Sequence, residues 1–160
     1  MMIRPATPDD IPEILAFISE LAEYEREPQA AVATHAGLLR DGWGHEKRFH
    51  CLMAELDGVP AGFALYFYNY STWRGHAGIY VEDLFVRPAF RNKGIGKALF
   101  AEVARIAVAE ACPRLEWAVL NWNQLAIDFY NSIGAQPMSE WTTMRLTGEA
   151  LRQLAQSRDS

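Results

Sequence analysis

Apolar residues recur along this chain with two different periods, one typical of helices and one typical of strands. Near the N-terminus, Ile11, Ile14, Leu15 and Ile18 follow the three- and four-residue spacing of an amphipathic helix. From His50 onward the spacing changes to that of strands, rich in β-branched and aromatic residues. The predicted helices cover about 8–24, 33–40, 94–110 and 124–133, and the predicted strands cover 50–56, 59–70, 76–86, 115–120 and 141–146.

Local signals place the ends of these elements. Thr7-Pro8-Asp9-Asp10 supplies a cap residue, a proline and acidic residues for the start of the first helix. Asp57-Gly58 predicts a tight hairpin turn between two strands. The order strand 76–86, loop, helix 94–110 and strand 115–120 predicts a βαβ unit. Because the 160 residues contain no repeat or linker, we expect a single domain over 1–160.

Composition and charge narrow the class of protein. Half of the residues are hydrophobic and 22% are charged, as in an ordinary globular protein. The net charge of −5 argues against nucleic acid and anionic membranes as partners. Cys51 and Cys112 are far apart in sequence and lack zinc-ligand spacing, so a reducing, cytoplasmic location is expected. No segment predicts a signal peptide or a membrane span.

A glycine-containing loop, Arg91–Lys97, follows a predicted strand and opens a helix, where free backbone N–H groups and the helix dipole attract anions. It is not a Walker A loop, which needs glycine at Arg91 and Ser or Thr at Ala98, nor a dinucleotide fingerprint, which needs a small residue at Leu99. Three basic residues nevertheless concentrate positive charge here in an otherwise acidic chain. They are Arg91, Lys93 and Lys97. The loop therefore predicts a phosphate or pyrophosphate site.

These residues also carry a family resemblance. The segments 82–88 and 91–96 resemble the acetyl-CoA signature of the GNAT superfamily of N-acetyltransferases, with its glycine loop after a bulged strand. Further segments resemble the diamine (spermidine/spermine) N-acetyltransferase branch over nearly the whole chain; they are 3–7, 20–25, 121–123, 129–130 and 134–135. The resemblance implies an α/β (α+β) GNAT fold, in which a mixed, mostly antiparallel twisted sheet is flanked by helices. It also implies that the strands 76–86 and 115–120 splay apart to admit acetyl-CoA.

The resemblance implies where acetyl-CoA binds. Backbone N–H groups from Asn92 to Lys97 would hold the pyrophosphate, and the strand edge at residues 84–86 would pair with the pantetheine arm. A backbone N–H near Phe85 would polarise the thioester carbonyl. The implied cofactor-binding residues are Leu84, Phe85, Val86, Arg91, Asn92, Lys93, Gly94, Ile95, Gly96, Lys97, Asn123 and Tyr130.

The resemblance also assigns the chemistry. Tyr130 corresponds to the general acid that protonates the departing thiolate, a task that a phenol can perform at neutral pH. Glu82 is the candidate base or water-relaying acceptor for the amine, and its apolar strand neighbours suggest partial burial and a raised pKa. Strand alternation would turn the adjacent Asp83 to the other face. Tyr24, Glu25 and Glu82 resemble the amine-binding groups of the branch, together with Glu140, whose surroundings depart from the branch pattern.

The resulting hypothesis is an acetyl-CoA-dependent N-acetyltransferase that acts on a polyamine or diamine by direct attack in a ternary complex. The alternatives are an enzyme for thialysine or another lysine-like amino acid, a protein Nε-acetyltransferase, and a non-catalytic acyl-CoA-binding module. An amino-acid substrate would require a further group for its carboxylate. A homodimer is expected from the resemblance alone. The four histidines lack the spacing of metal ligands, so no metal is expected. No basic tract accompanies the tryptophans, so they are not expected to form a nucleic-acid site.

Overall fold

The computed structural model describes residues 1–159 and separates the chain into two compact units, one over Met1–Leu120 and one from Asn121 onward. The first unit contains β1 (Met2–Pro5), α1 (Ile11–Tyr24), α2 (His35–Trp43), β2 (His50–Leu56), β3 (Val59–Ser71), β4 (His76–Val86), α3 (Ile95–Ala109) and β5 (Leu115–Trp117). The second unit contains α4 (Gln124–Ser132) and α5 (Gly148–Gln156).

The five strands form one sheet in the order β1-β2-β3-β4-β5. The pairs from β1 to β4 are antiparallel, whereas β4 and β5 are parallel. The mixed, mostly antiparallel sheet and the β4–α3–β5 crossover are therefore confirmed. The predicted hairpin turn is also present, with Asp57 and Gly58 both at positive φ.

Helices cover both faces of the sheet. On one face, the buried side chain of Phe17 in α1 stacks on Phe63, with ring centroids 5.2 Å apart, and lies 6.3 Å from Phe85. On the other face, Gly96 of α3 lies against Leu84 and Val86. Since side chains alternate along a strand, the end of β4 contributes to both layers.

Arg87, directly after β4, fastens α1 to this end of the sheet. Its Nε and Nη2 atoms donate to Glu20, and Nη2 also pairs with Glu13. The guanidinium lies over the ring of Phe17, 4.4 Å from its centroid, and Nη1 donates to the carbonyl of Pro60. One guanidinium thus contacts two carboxylates, an aromatic ring and a backbone carbonyl. These contacts fix the position of α1 against the start of β3 and the end of β4.

Two irregularities shape β4. The register of β3 against β4 shifts between Leu65 and Tyr66, which pair with Asp83 and Val81, so that Glu82 is the extra residue of a β-bulge. On its other edge, β4 pairs with β5 only over Ile79–Val81. The strand then continues to Val86, and among residues 1–159 no strand pairs with it on that side, in agreement with the predicted splay.

Three predicted elements differ from the structure. The strand predicted over 115–120 ends at Trp117. Residues 141–146 form no strand, because the second unit offers no strand in the described residues with which they can pair. Helix α5, which the sequence pattern did not predict, follows them, and Arg152 pairs with Glu149 across one of its turns. The helix predicted over 33–40 begins at His35, capped by the Thr34 hydroxyl that accepts from the Gly37 N–H, and continues to Trp43.

We predict that replacing Arg87 with alanine lowers the free energy of unfolding by about 1–3 kcal/mol, because Glu13 and Glu20 lose their shared partner. Urea denaturation of the purified variant measures this change. The matched control is Arg105→Ala, which removes an exposed arginine paired with Glu102 within α3 and should change stability little. Equal effects of the two substitutions would contradict the assigned role of Arg87.

Candidate active site

The loop between β4 and α3 presents a series of backbone donors. Gly94 has φ 77°, a left-handed conformation that favours glycine, and α3 begins at the next residue. No backbone hydrogen bond within the described part of the chain is donated by the N–H groups of residues 92–97. Lys93 and Lys97 are exposed beside them. These groups suit the pyrophosphate of acetyl-CoA, which needs several N–H donors and positive charge at one place.

The strand edge leading to this loop is also available. Phe85 is buried, whereas Leu84 and Val86 are partly buried, and this stretch of β4 lies beyond the last pair with β5. A Cβ atom added at Gly96 would lie 3.8 Å from Val86 and 3.9 Å from Leu84, so the start of α3 packs closely against the same stretch. The structure therefore brings the predicted residues Leu84–Val86 and Asn92–Lys97 together at one end of β4.

Arg91 differs from the other basic residues of the loop in the direction of its side chain. Its Nε donates to the carbonyl of Val86 at 3.0 Å. Its guanidinium lies 5.0 Å from the ring centroid of Tyr24 and 5.8 Å from that of Phe85. Arg91 thus joins the loop to the C-terminal end of α1, where two of the predicted amine-binding residues are found.

Three carboxyl groups lie near this end of α1. Burial and then the charge of Glu82 raise the pKa of Glu25. Burial raises the pKa of Asp83 to about 7, and the charges of Glu82 and Glu25 contribute to the same shift. The charge of Glu82 thus acts on both Glu25 and Asp83, and the charge of Glu25 acts on Asp83, which places the three carboxyl groups within electrostatic range. Such a group can attract an ammonium ion.

The β-bulge corrects the prediction for the pair Glu82 and Asp83. Glu82 is exposed and not partly buried, whereas Asp83 is partly buried opposite Leu65, on the face covered by α1. Regular strand alternation predicted that Asp83 faces away from the site. The extra residue at Glu82 interrupts that alternation. Asp83 is therefore a candidate site residue that the sequence pattern did not indicate. Only the strand register reveals it.

The remaining predicted site residues belong to the second unit. Asn123 caps α4, since its Oδ1 accepts from the Ala126 N–H at 3.3 Å. Tyr130 is partly buried in the same helix, with its ring 5.7 Å from that of Phe129. Glu140 is exposed in a turn before residues 141–146. The catalytic and binding roles of these three residues stay predictions.

Other reactive groups lie elsewhere. Cys51 is buried beneath α1 and α2, and burial raises the pKa of its thiol to about 12. Burial also raises the pKa of Cys112. Within residues 1–159, no three His, Cys, Asp or Glu side chains form a group that could hold a metal ion. No helix in that range is long and apolar enough to cross a membrane.

Comparisons with known proteins agree with this geometry. Residues 14–135 match the model of the Acetyltransferase (GNAT) family. A thialysine N-epsilon-acetyltransferase of Bos taurus is 40% identical, over 97% of this chain and 97% of its own length. Spermidine/spermine N(1)-acetyltransferase-like protein 1 of Homo sapiens is 37% identical over 96% of this chain, which spans 23% of that longer protein.

A solved structure shows the same architecture. An integron cassette protein from the mobile metagenome of V. cholerae superposes with a TM-score of 0.81 at 28% identity, over 96% of each chain. The family match covers most of the chain and includes β4, the glycine loop and α3. The chain therefore belongs to the GNAT family, within its diamine acetyltransferase branch, and it is an acetyl-CoA-dependent N-acetyltransferase.

Proposed function

We propose that this enzyme acetylates the side-chain amine of a lysine-like amino acid, with thialysine as the first candidate. The observation that carries the proposal is the group of three carboxyl groups, Glu25, Glu82 and Asp83, beside the predicted acetyl-CoA site. The bovine relative that matches this chain from end to end is named for thialysine, which supports an amino acid over a polyamine. This choice replaces the polyamine or diamine that the sequence motifs suggested first.

The three carboxyl groups suit a cationic amine for an electrostatic reason. At neutral pH a primary ammonium ion is attracted to a site that holds several carboxylates, whose negative charges repel each other. Burial is the main cause of the raised pKa values of Glu25 and Asp83, and the arriving ammonium ion offsets the charge repulsion that adds to it. Tyr24, at the end of α1, would form one wall of this amine site, and Glu140 stays a further candidate.

Before the amine can attack, it must lose a proton to a nearby acceptor. Glu82 is the acceptor that the family resemblance selects, either directly or through water. Asp83 has the pKa of about 7 that suits proton transfer near neutral pH, and it is the less exposed of the two. We propose that Asp83 receives the proton and that Glu82 helps to bind the ammonium ion.

The proposed binding surface for acetyl-CoA, which supplies the acetyl thioester, comprises the end of β4 and the loop that follows it. The N–H groups of residues 92–97 would hold its pyrophosphate, with Lys93 and Lys97 adding charge. Residues 84–86 would position its arm along the free edge of β4. Direct transfer is favoured, because burial keeps the Cys51 and Cys112 thiols protonated.

Tyr130 would donate the proton that the leaving thiolate needs, and Asn123 would contact the cofactor arm or a bound water. We also propose a homodimer and a cytoplasmic location. The dimer is supported by large apolar side chains that are exposed in the second unit, such as Trp141, Met144 and Leu154. The location is supported by the two free cysteines.

The identity of the amine substrate can be tested by turnover. In a thiol-release assay with acetyl-CoA on a panel of thialysine, lysine, ornithine, spermidine and spermine, kcat/KM for thialysine should exceed that for spermidine and spermine. The physical reason is that a site for one ammonium group and one amino-acid end gains nothing from the additional charges of a polyamine. Faster turnover of spermidine would restore the polyamine hypothesis, and no turnover with any amine would overturn the proposed substrate class.

The pH dependence of turnover separates the two candidate proton acceptors. The value of kcat/KM should fall as the pH decreases below about 7, because protonated Asp83 cannot accept a proton. Asp83→Asn should abolish this limb of the pH profile. Glu82→Gln should raise KM for the amine and keep the limb, moved to lower pH because the charge of Glu82 no longer helps to raise the pKa of Asp83. The opposite assignment of the two variants would identify Glu82 as the acceptor.

The proposed role of Tyr130 can be tested by a conservative substitution. Tyr130→Phe should lower kcat by about 10²-fold or more, since the phenolic proton is lost, while acetyl-CoA affinity measured by calorimetry changes little. Tyr70→Phe is the matched control, because Tyr70 is an exposed tyrosine of β3 outside the proposed site. Unchanged turnover in the Tyr130 variant would remove Tyr130 from the mechanism.

A further inference from the structure

Two arginines from the connection between β4 and α3 lie on aromatic rings of α1. Arg87 covers Phe17 at 4.4 Å, and Arg91 covers Tyr24 at 5.0 Å. Phe17 and Tyr24 are two helical turns apart, so they lie on the same side of α1. The segment that carries the predicted cofactor loop is therefore attached to α1 at two points.

The two attachments differ in strength. The Arg87 side chain is partly buried and pairs with Glu13 and Glu20. Arg91 is exposed, and within the described residues its guanidinium has no carboxylate partner; the contacts that hold it are one carbonyl and two aromatic faces. A cation–π contact at an exposed site is weak. A ligand that fixes the backbone of Arg91 can therefore change how firmly the end of α1 is held.

We infer that Arg91 couples the two substrate sites of this enzyme, so that binding of CoA at the loop tightens binding of the amine beside Tyr24 and Glu25. The inference rests on the proposed function, which assigns these two sites. Anchoring of the N–H groups from residue 92 onward orders the backbone next to Arg91. Its guanidinium then restricts Tyr24, and the amine meets a site whose wall is already in place.

Binding of CoA and binding of the amine are thermodynamically linked, so the effect of one on the other is reciprocal. If CoA tightens amine binding by some factor, the amine tightens CoA binding by the same factor. The strength of an exposed cation–π contact corresponds to a factor of about two to five. Arg91 is a positioning residue in this scheme, because it acts on the amine through Tyr24.

The test compares the Kd of CoA measured by calorimetry in the absence and in the presence of saturating thialysine, a pair that cannot react. In the unmodified enzyme, thialysine should tighten CoA binding about two- to fivefold. In Arg91→Gln the ratio should fall to about one, with partial recovery in Arg91→Lys. Tyr24→Phe keeps the ring and should keep the ratio, whereas Tyr24→Leu should lose it.

The matched control is Lys97→Gln, which removes a cation from the same loop without touching Tyr24. It should weaken CoA binding equally with and without thialysine, and therefore leave the ratio unchanged. Steady-state kinetics provide an independent check, since Arg91→Gln should raise KM for the amine more than it changes kcat. An unchanged ratio in Arg91→Gln, or a ratio of one in the unmodified enzyme, overturns the inference.

A second measurement needs no amine. CoA alone should slow hydrogen exchange of the backbone amides of residues 21–26 in the unmodified enzyme, and it should have no such effect in Arg91→Gln. Absence of protection in the unmodified enzyme would overturn the coupling. If no amine of the panel is turned over while this protection is present, the proposed substrate is wrong and the link from the loop to α1 stands.

Discussion

The structure depends on one constraint, namely that β4 continues beyond the point where its parallel neighbour ends. Pairing with β5 stops at Val81, yet β4 runs on to Val86 and stays paired with β3 along its other edge. A strand held on one edge leaves the backbone groups of its other edge available. In this fold the free edge leads directly into the loop before α3, and the predicted cofactor surface at residues 84–86 and 92–97 follows from that arrangement.

The same strand separates two local charges of opposite sign. Asp83 and the end of α1 form an acidic group on one side, whereas Lys93 and Lys97 make the loop basic at the end of the strand. The net charge of −5 describes neither group. An acidic site for an ammonium ion and a basic site for a pyrophosphate suit an acetyltransferase, which must bring a cation and an anion together.

Local patterns were sufficient wherever neighbours in sequence decide the conformation. Helix α1, the Asp57-Gly58 hairpin and the β4–α3–β5 crossover follow from periodicity and turn residues, and all three are present. The pattern was insufficient for residues 141–146, because a strand requires a partner that β-forming residues cannot supply by themselves. It was also insufficient for Asp83, because alternation assumes that a strand has no bulge.

By itself, the sequence determined the family and the order of the elements from α1 to β5, and it predicted an anion site in the loop at residues 91–97. These properties depend on residue types at fixed spacings, which a chain displays before it folds. Only the tertiary structure decided that Asp83 is partly buried beside Glu82 and that Arg91 reaches back to Tyr24. Both results depend on strand register and on the placement of α1 by Arg87, and such long-range contacts have no signature in a local pattern.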